Sequence, residues 1–520
     1  MFMTNLLIWI AHTLHFFFRP FIMIMNLRKR PRIPPIKNPL LKISATELTR
    51  MIRNREISSQ TIVEVYIQRI QEVNPYLNAV IEDRFEAAIN DAKNCDEKLK
   101  SGEVTAAYLE KEKPLFGLPI TVKESCSVAG MSFTVGTVPR RGMKATEDGE
   151  AVQILKNAGA IILCVTNVSE MCMAPHAGNY LFGSTRNPYD TRMSPGGSSG
   201  GEGALIGAGA SILGFGSDLA GSLRIPGLFN GIFGHKPSSG VVPHEGHMPC
   251  MKDKTMQTIF SIGPMTRYAE DLPLAMKVLS VRSKVPLTLD KQVNVKSLRV
   301  FYVNRFESFC GVREPTPDLI ETINEAIRYF EEIGVTTRKL PQEWVRDTTS
   351  LYAAMTREMV HEEPLADPHN PEKDVHPKLE ILKGLLGLSK FTMDLIRFRL
   401  LILAHGFIPF STVERFRNIR LQISRNVNEL LGEDGVFICP TFSQTTSYPG
   451  LIFFQLDSCM YTAFANIMLL PSTHIPMGLN SAGLPVGFQV IAAKNQDHLC
   501  FAVAREFEKI FGGWVDPNAK

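Results

Sequence analysis

The sequence predicts an α/β fold with a mixed or parallel central sheet, and three features of the chain support this. Four short apolar runs, typical of buried strands, lie at residues 118–122, 161–165, 212–215 and 300–303. Helical patterns separate some of these runs, as at residues 150–158, and strand–helix alternation is typical of α/β proteins. The chain has 520 residues, 44% of them hydrophobic, so it is long enough to bury a sizeable core.

Charge and cysteine usage exclude several classes of protein. There are 56 Lys and Arg residues against 52 Asp and Glu residues, a net charge of +4. The basic excess lies in residues 1–42, so the folded part lacks the basic stripe of a nucleic-acid-binding protein, and no nucleic-acid partner is expected. The nine cysteines form no C-x-x-C pair. We therefore expect reduced thiols in a reducing compartment, without a zinc site or a disulfide framework.

The N-terminus, residues 1–30, is predicted to be a membrane-anchoring helix. Residues 6–26 are almost entirely apolar, and about 20 such residues are needed to span a bilayer. His12, His15, Arg19 and Pro20 interrupt the run, so the helix either spans with strain or lies in the interface. A secretory signal is the alternative, but no basic residue precedes the apolar run and no A-x-A-like site follows it.

A basic, proline-rich linker is predicted at residues 31–42. The adjoining basic cluster comprises Arg28, Lys29, Arg30 and Arg32. Such a cluster favours the cytoplasmic side of a membrane, which predicts a cytosolic catalytic domain. The endoplasmic reticulum and the lipid-droplet surface are the candidate locations.

The remaining residues, 43–520, are predicted to form one catalytic domain. It begins with a helical pattern between residues 46 and 100, where Ser58 or Ser59 is the candidate N-cap of the second helix. It ends with an apolar strand at residues 484–491 and a helix at residues 497–511.

The segment with the strongest chemical signal spans residues 191–240 and is rich in glycine and serine. A phosphate-binding loop is one interpretation, but the G-x-x-x-x-G-K-[ST] pattern is missing and the glycines follow no predicted strand. An α/β-hydrolase elbow is another, because residues 196–200 satisfy G-x-S-x-G. That motif requires a strand before the serine, whereas residues 187–195 have the composition of a loop.

The third interpretation is a Ser–Ser–Lys hydrolase, and it depends on longer motifs. Residues 196–203 read GGSSGGEG, and residues 218–226 read DLAGSLRIP. Upstream, residues 114–124 read PLFGLPITVKE, an apolar strand ending in a lysine, and residues 483–489 read GLPVGFQ. In these motifs the chain resembles the amidase signature family over residues 43–514. The resemblance implies the amidase signature fold, a mixed twisted central sheet covered on both faces by helices.

By this resemblance Ser222 is the nucleophile, Ser198 the bridging serine and Lys123 the base. A serine hydroxyl is a poor nucleophile until a base removes its proton. A lysine is a base only when neutral, and burial disfavours its charged form. Ser198 can pass the proton from Ser222 to Lys123 and later return it to the leaving amine.

The resemblance also implies the roles of neighbouring groups. The expected oxyanion hole consists of four backbone N–H groups, those of Leu219, Ala220, Gly221 and Ser222. Many family members have glycine at position 220, so the donor geometry at this alanine is of interest. Ser199 is expected to orient the relay, and Asp218 and Arg224 to pair and brace the loop. The chemistry requires no metal and no organic cofactor.

Two features predict a lipid amide substrate. One is the N-terminal anchor, and the other is the apolar segment 381–410, which carries basic residues such as Lys390 and Arg397. This segment resembles the membrane-facing cap of the fatty-acid amide hydrolases within the family, most closely the type 2 form. A buried pair of core helices is the alternative. Phe182, Phe407 and Phe410 are the candidates for lining an acyl channel.

We therefore expect a membrane-bound serine hydrolase that cleaves fatty-acid amides. Primary amides such as oleamide and N-acylethanolamines would give a fatty acid and ammonia or an amine, a reaction of lipid and endocannabinoid degradation. Hydrolysis of small or aryl amides is one alternative, and a catalytically silent lipid-binding scaffold is another. A homodimer is a candidate assembly, because family members often dimerise.

Overall fold

An eleven-stranded mixed sheet organises the chain, and helices flank it, which confirms the predicted α/β class. The computed structural model describes residues 2–26, 32–251, 253–307, 311–357, 359 and 377–519. In chain order the strands are β1 (Val80–Asp83), β2 (Pro119–Lys123), β3 (Ile161–Thr166), β4 (Gly178–Asn179), β5 (Gly183–Ser184), β6 (Leu213–Asp218), β7 (Phe233–Lys236), β8 (Ser261–Thr266), β9 (Arg299–Tyr302), β10 (Thr336–Lys339), β11 (Gly435–Cys439), β12 (Ser472–Leu479) and β13 (Pro485–Ala492).

The strand order in the central sheet is β1-β3-β2-β6-β8-β7-β12-β13-β11-β9-β10, and β4 and β5 form a separate ribbon. Strands β3, β2 and β6 run parallel to one another, as do β11, β9 and β10. The other neighbouring strands are antiparallel. The sheet is therefore mixed, with a parallel group on each side of an antiparallel centre.

The helices cover a large part of the chain between the strands. They are α1 (Phe2–Met25), α2 (Ala45–Arg53), α3 (Ser59–Leu77), α4 (Phe85–Ser101), α5 (Ala106–Glu112), α6 (Glu150–Asn157), α7 (Gly200–Gly207), α8 (Arg224–Asn230), α9 (Lys254–Ile259), α10 (Asp271–Leu279), α11 (Pro317–Glu332), α12 (Thr348–Thr356), α13 (Pro377–Leu385), α14 (Met393–His405), α15 (Phe410–Leu431), α16 (Pro449–Ile452), α17 (Met460–Ile467) and α18 (Asp497–Phe511). A 3₁₀ helix, Phe453–Cys459, joins α16 to α17.

Most of the elements predicted from the sequence are present. The four apolar runs correspond to β2, β3, β6 and β9, and the C-terminal strand and helix to β13 and α18. Ser58 is the N-cap of α3, since its side chain accepts a hydrogen bond from the Thr61 N–H. The helical pattern before residue 100 is interrupted by β1, which the sequence analysis missed. This strand has only four residues and pairs antiparallel with β3.

The predicted N-terminal helix is present as α1, with Pro20 inside it. Within the described part of the chain, no single helix is both long enough and apolar enough to cross a membrane. Helices α14 and α15 meet that test only as a pair, and they are bent by 98° relative to each other. The basic residues Arg28, Lys29 and Arg30, on which the topology prediction depends, lie outside the described residues.

The parallel pair β2 and β6 determines where the site can form. Thr121 pairs with Gly214, and Val122 with Phe215, so both strands end at the same edge of the sheet. Ligands of open α/β sheets bind outside the carboxyl ends of the strands. This edge is therefore the place to look for reacting groups.

Candidate active site

Lys123 is the last residue of β2, and its amine lies between two serine hydroxyls. The Nζ atom lies within hydrogen-bonding distance of Ser198 Oγ, at 2.7 Å, and of Ser217 Oγ, at 2.9 Å. Lys123 has no exposed surface, and among the described residues no carboxylate forms an ion pair with it. The amine is therefore surrounded by neutral hydroxyls rather than paired with an opposite charge.

Ser198 lies on the loop just before α7 and contacts Lys123. The Gly197–Ser198 peptide bond is cis, and Ser198 is almost fully buried. The loop is fixed from outside, since Asn230 Nδ2 donates to the Pro195 carbonyl oxygen at 2.7 Å. The structure thus brings together two of the three predicted relay residues, Lys123 and Ser198.

Ser222 lies on the turn after β6 and is half-buried. Ser222 and Ser198 both line a small cavity of about 20 Å³. Within the described part of the chain, the Ser222 hydroxyl has no hydrogen-bond partner. Hydrogen bonds between catalytic groups are often long in unliganded enzymes and shorten when substrate binds. The arrangement is therefore compatible with a relay, although the contact between the two serines is not formed.

The turn at residues 219–222 presents the predicted oxyanion donors. The N–H groups of Leu219, Ala220 and Ser222 bond to no acceptor among the described residues. The Gly221 N–H instead donates to Asp218 Oδ1 at 2.7 Å, so in this structure it is engaged elsewhere. Gly221 has φ +119°, and a Cβ there would lie 2.2 Å from Thr462 Oγ1, so only glycine fits. Ala220 is not among the described residues with positive φ, and its side chain therefore causes no backbone strain.

Asp218 and Arg224 form a fully buried ion pair behind this turn. Arg224 Nη2 and Nε lie 2.9 Å and 3.2 Å from the two carboxylate oxygens. Arg224 also donates to the Thr462 carbonyl, Gln489 and Asn466. Burial alone raises the pKa of Asp218, but the Arg224 charge and the hydrogen bonds that the carboxylate accepts lower it to about 2. The predicted bracing pair is thus present in the structure.

The structure adds groups that the sequence analysis missed. Ser217, directly before Asp218, is the second partner of Lys123, and Ser199 donates to the Ser217 carbonyl oxygen at 3.5 Å. Glu202 accepts hydrogen bonds from Thr121 and Thr166, on β2 and β3. Burial raises the pKa of Glu202 to about 7, while the two hydroxyls and the charge of Lys123 oppose that rise. Ser217 could have been found from its place in the second motif, whereas the contacts of Glu202 depend on the fold.

Ser222 also lines a larger cavity, of about 140 Å³. Its wall is mostly apolar and includes Ile225, Tyr352, Phe398, Leu401, Leu456 and Met460. The three phenylalanines predicted to line an acyl channel do not line this cavity. Phe407 is instead 82% exposed and Phe410 58% exposed, because both lie where α14 ends and α15 begins. The structure therefore does not place these three residues at the cavity beside Ser222.

Known proteins resemble this chain over most of its length. A family profile described as Amidase matches residues 61–501. The chain is 38% identical to fatty-acid amide hydrolase 2-A of Danio rerio over 501 residues, covering 94% of this chain and 92% of that protein. It is 37% identical to fatty-acid amide hydrolase 2 of Homo sapiens, again covering 94% of this chain and 92% of that protein. A solved structure titled fatty acid amide hydrolase superposes with a TM-score of 0.74 at 20% identity, covering 92% of this chain and 86% of that one.

Replacing Asp218 by Asn is expected to destabilise the fold strongly. The amide cannot neutralise Arg224, and removing one partner of a buried ion pair typically costs about 3–5 kcal/mol. Asp434→Asn is the matched control, because Asp434 pairs with Arg299 at the surface. Exposed pairs contribute about 0–1 kcal/mol. Urea unfolding of both variants measures the difference, and equal losses of stability would contradict the bracing role of Asp218.

Proposed function

The chain belongs to the amidase family and is an amidohydrolase, and we propose that it cleaves fatty-acid amides with Ser222 as nucleophile. The observation that carries the proposal is the buried amine of Lys123, hydrogen-bonded at 2.7 Å to Ser198 beside an apolar cavity. The activity in the names of the Danio rerio and Homo sapiens relatives supports the lipid substrate.

The proposed reaction begins with two proton transfers. Neutral Lys123 takes the proton of Ser198, which takes that of Ser222. The Ser222 oxygen then bonds to the carbonyl carbon of the amide, and the negative charge develops on the carbonyl oxygen. The free N–H groups of Leu219, Ala220 and Ser222 are the donors for that oxyanion. Each such donor typically lowers the barrier by about 2.7–4 kcal/mol.

The relay then works in reverse to break the amide. Ser198 gives its proton to the nitrogen of the leaving group and recovers one from Lys123, because an amine leaves poorly unless it is protonated. The C–N bond breaks and an acyl ester on Ser222 remains. Water, deprotonated through the same relay, attacks the ester carbon and releases the fatty acid and the Ser222 hydroxyl.

The acyl chain is proposed to occupy the larger cavity. Phe398 and Leu401 on α14 and Leu456 and Met460 on the opposite wall offer apolar contacts, and each buried methylene contributes about 0.8 kcal/mol. The leaving group is proposed to occupy the small cavity. Its volume of about 20 Å³ suits one water-sized molecule such as ammonia.

We further propose that a surface beside the larger cavity lies in a membrane interface. On α1 its exposed residues are Trp9, Phe16, Phe17, Phe21 and Ile24. On and around α13 and α14 they are Leu385, Leu386, Leu388, Phe407 and Phe410. The two parts adjoin, since Phe18 of α1 stacks on Phe454 at 6.1 Å and Arg397 of α14 covers the same ring. Exposed apolar patches of this kind mark interaction sites, and the neighbouring lysines and arginines suit anionic head groups.

Activity is expected to rise with acyl-chain length from acetamide to oleamide. Ser222→Ala should lower kcat by at least about a thousandfold, because alanine has no hydroxyl to attack the amide carbonyl. Ser101→Ala, an exposed serine at the end of α4, is the matched control. Activity confined to short or aryl amides would contradict the lipid substrate. If the protein shows no turnover and fluorophosphonate does not label Ser222, the protein is a catalytically silent scaffold.

Primary amides are expected to be better substrates than N-(2-hydroxyethyl) amides of the same acyl chain. The small cavity admits ammonia without rearrangement, whereas the larger leaving group must displace the side chains around it. Met251→Ala enlarges this cavity and should narrow the ratio of the two kcat/KM values. A ratio that Met251→Ala leaves unchanged would mean that the leaving group departs by another route.

Membrane binding is expected to weaken when the α13–α14 surface is charged. In the variant Leu385→Glu/Leu386→Glu/Leu388→Glu, partition onto phosphatidylcholine–phosphatidylserine vesicles should fall at least about tenfold, because burying each leucine contributes about 1.5–3 kcal/mol. Flotation of the full-length protein measures this. Ile510→Glu on α18, another half-exposed apolar residue, is the matched control, and an equal loss in the control would contradict the assigned surface.

A further inference from the structure

A chain of hydrogen bonds continues from Lys123 on the side away from Ser198. Lys123 Nζ lies 2.9 Å from Ser217 Oγ, which lies 2.9 Å from Nε2 of His247. His247 Nδ1 lies 3.3 Å from the Pro249 carbonyl oxygen. Ser217 and His247 are both buried, with 2% and 5% of their surface exposed. His247 comes from the loop between β7 and α9, outside every motif that predicted the site.

The direction of these hydrogen bonds follows from the last acceptor. A carbonyl oxygen only accepts, so the ring proton of neutral His247 lies on Nδ1 and points at Pro249. Nε2 then carries an electron pair and accepts the hydroxyl proton of Ser217. The Ser217 oxygen in turn accepts an N–H of Lys123. Every hydrogen-bond donor between Lys123 and Pro249 therefore points away from the amine.

This direction matters for the amine because a neutral lysine has two N–H bonds and a single electron pair. To take a proton from Ser198, Lys123 must aim that pair at the Ser198 hydroxyl, 2.7 Å away. If the Ser217 hydroxyl proton had no other acceptor, it could point at Nζ and occupy the same electron pair. An acceptor at position 247 removes this competition.

We propose that His247 is a positioning residue for the hydrolytic relay, acting through Ser217 to keep the electron pair of neutral Lys123 directed at Ser198. The inference rests on the proposed function of Lys123, Ser198 and Ser222 and extends it by two residues.

The surroundings of His247 suit this role. Burial lowers the pKa of His247 to about 3, so the ring stays neutral and Nε2 remains an acceptor. The Phe260 ring packs against the imidazole with its centroid 4.6 Å away. The backbone next to it is fixed, since the Met248 N–H donates to the Ser125 carbonyl oxygen at 2.8 Å.

The test compares His247→Leu with His247→Gln in the full-length protein, using a long-chain primary amide. Leucine offers no acceptor, and kcat is expected to fall about tenfold to a hundredfold with KM nearly unchanged. Glutamine can accept from Ser217 through Oε1 and donate to Pro249 through Nε2, so kcat should stay within about threefold of wild type. A merely structural role would not produce this rescue, and equal losses in the two variants would overturn the proposal.

A double-mutant cycle with Ser217→Ala tests whether His247 acts through Ser217. Alanine removes the competing hydroxyl, so adding His247→Leu should cause no further loss of kcat, whereas independent roles would multiply the two losses. Multiplied losses would overturn the proposal. If His247→Leu does not fold, as judged by thermal unfolding, His247→Phe replaces it in the same cycle as the variant without an acceptor.

Lys123→Ala and Ser222→Ala, measured in parallel, separate the two levels of the argument. Loss of turnover in both, with wild-type kcat in His247→Leu, would overturn the role of His247 and leave the proposed function intact. Residual turnover equal to wild type in Lys123→Ala would overturn both.

Discussion

The site depends on the burial of one amine at the shared edge of two parallel strands. Because β2 and β6 run side by side, their last residues deliver Lys123 and Ser217 to the same place, and the start of α7 adds Ser198. Two neutral hydroxyls, those of Ser198 and Ser217, surround the amine there. The register of β2 and β6 therefore determines which side chains meet at the site.

The buried ion pair of Asp218 and Arg224 holds the turn that carries Ser222 in place. Arg224 links Asp218 to α17 and to β13, through Asn466 and Gln489, so the turn is tied to elements far apart in the sequence. The same carboxylate takes the N–H of Gly221. That bond explains why the turn presents three free donors to the cavity rather than four. Asp218 therefore both holds the turn rigid and determines how many of its N–H groups remain free.

Elements with strong local signals were predictable from the sequence, and contacts between distant segments were not. The apolar runs that became β2, β3 and β6 were visible in the sequence, and the resemblance to the amidase signature family indicated Lys123, Ser198 and Ser222 as candidates. Strand β1 is too short and too polar to stand out between two helices. His247 belongs to a loop without periodicity, and its contact with Ser217 exists only once β6 and that loop are packed together. Such contacts require the fold.

Helix α14 connects the chemistry with the exposed surface. Phe398, Leu401 and His405 face the larger cavity, and directly after the helix Phe407 is almost fully exposed. One short element therefore borders both the space proposed for the acyl chain and the surface proposed to meet lipid. A fatty-acid amide dissolved in a membrane could then reach Ser222 without its acyl chain crossing water. This route avoids a free-energy cost of about 0.8 kcal/mol for each methylene. The 98° bend between α14 and α15 leaves Phe407 and Phe410 exposed where the two helices meet.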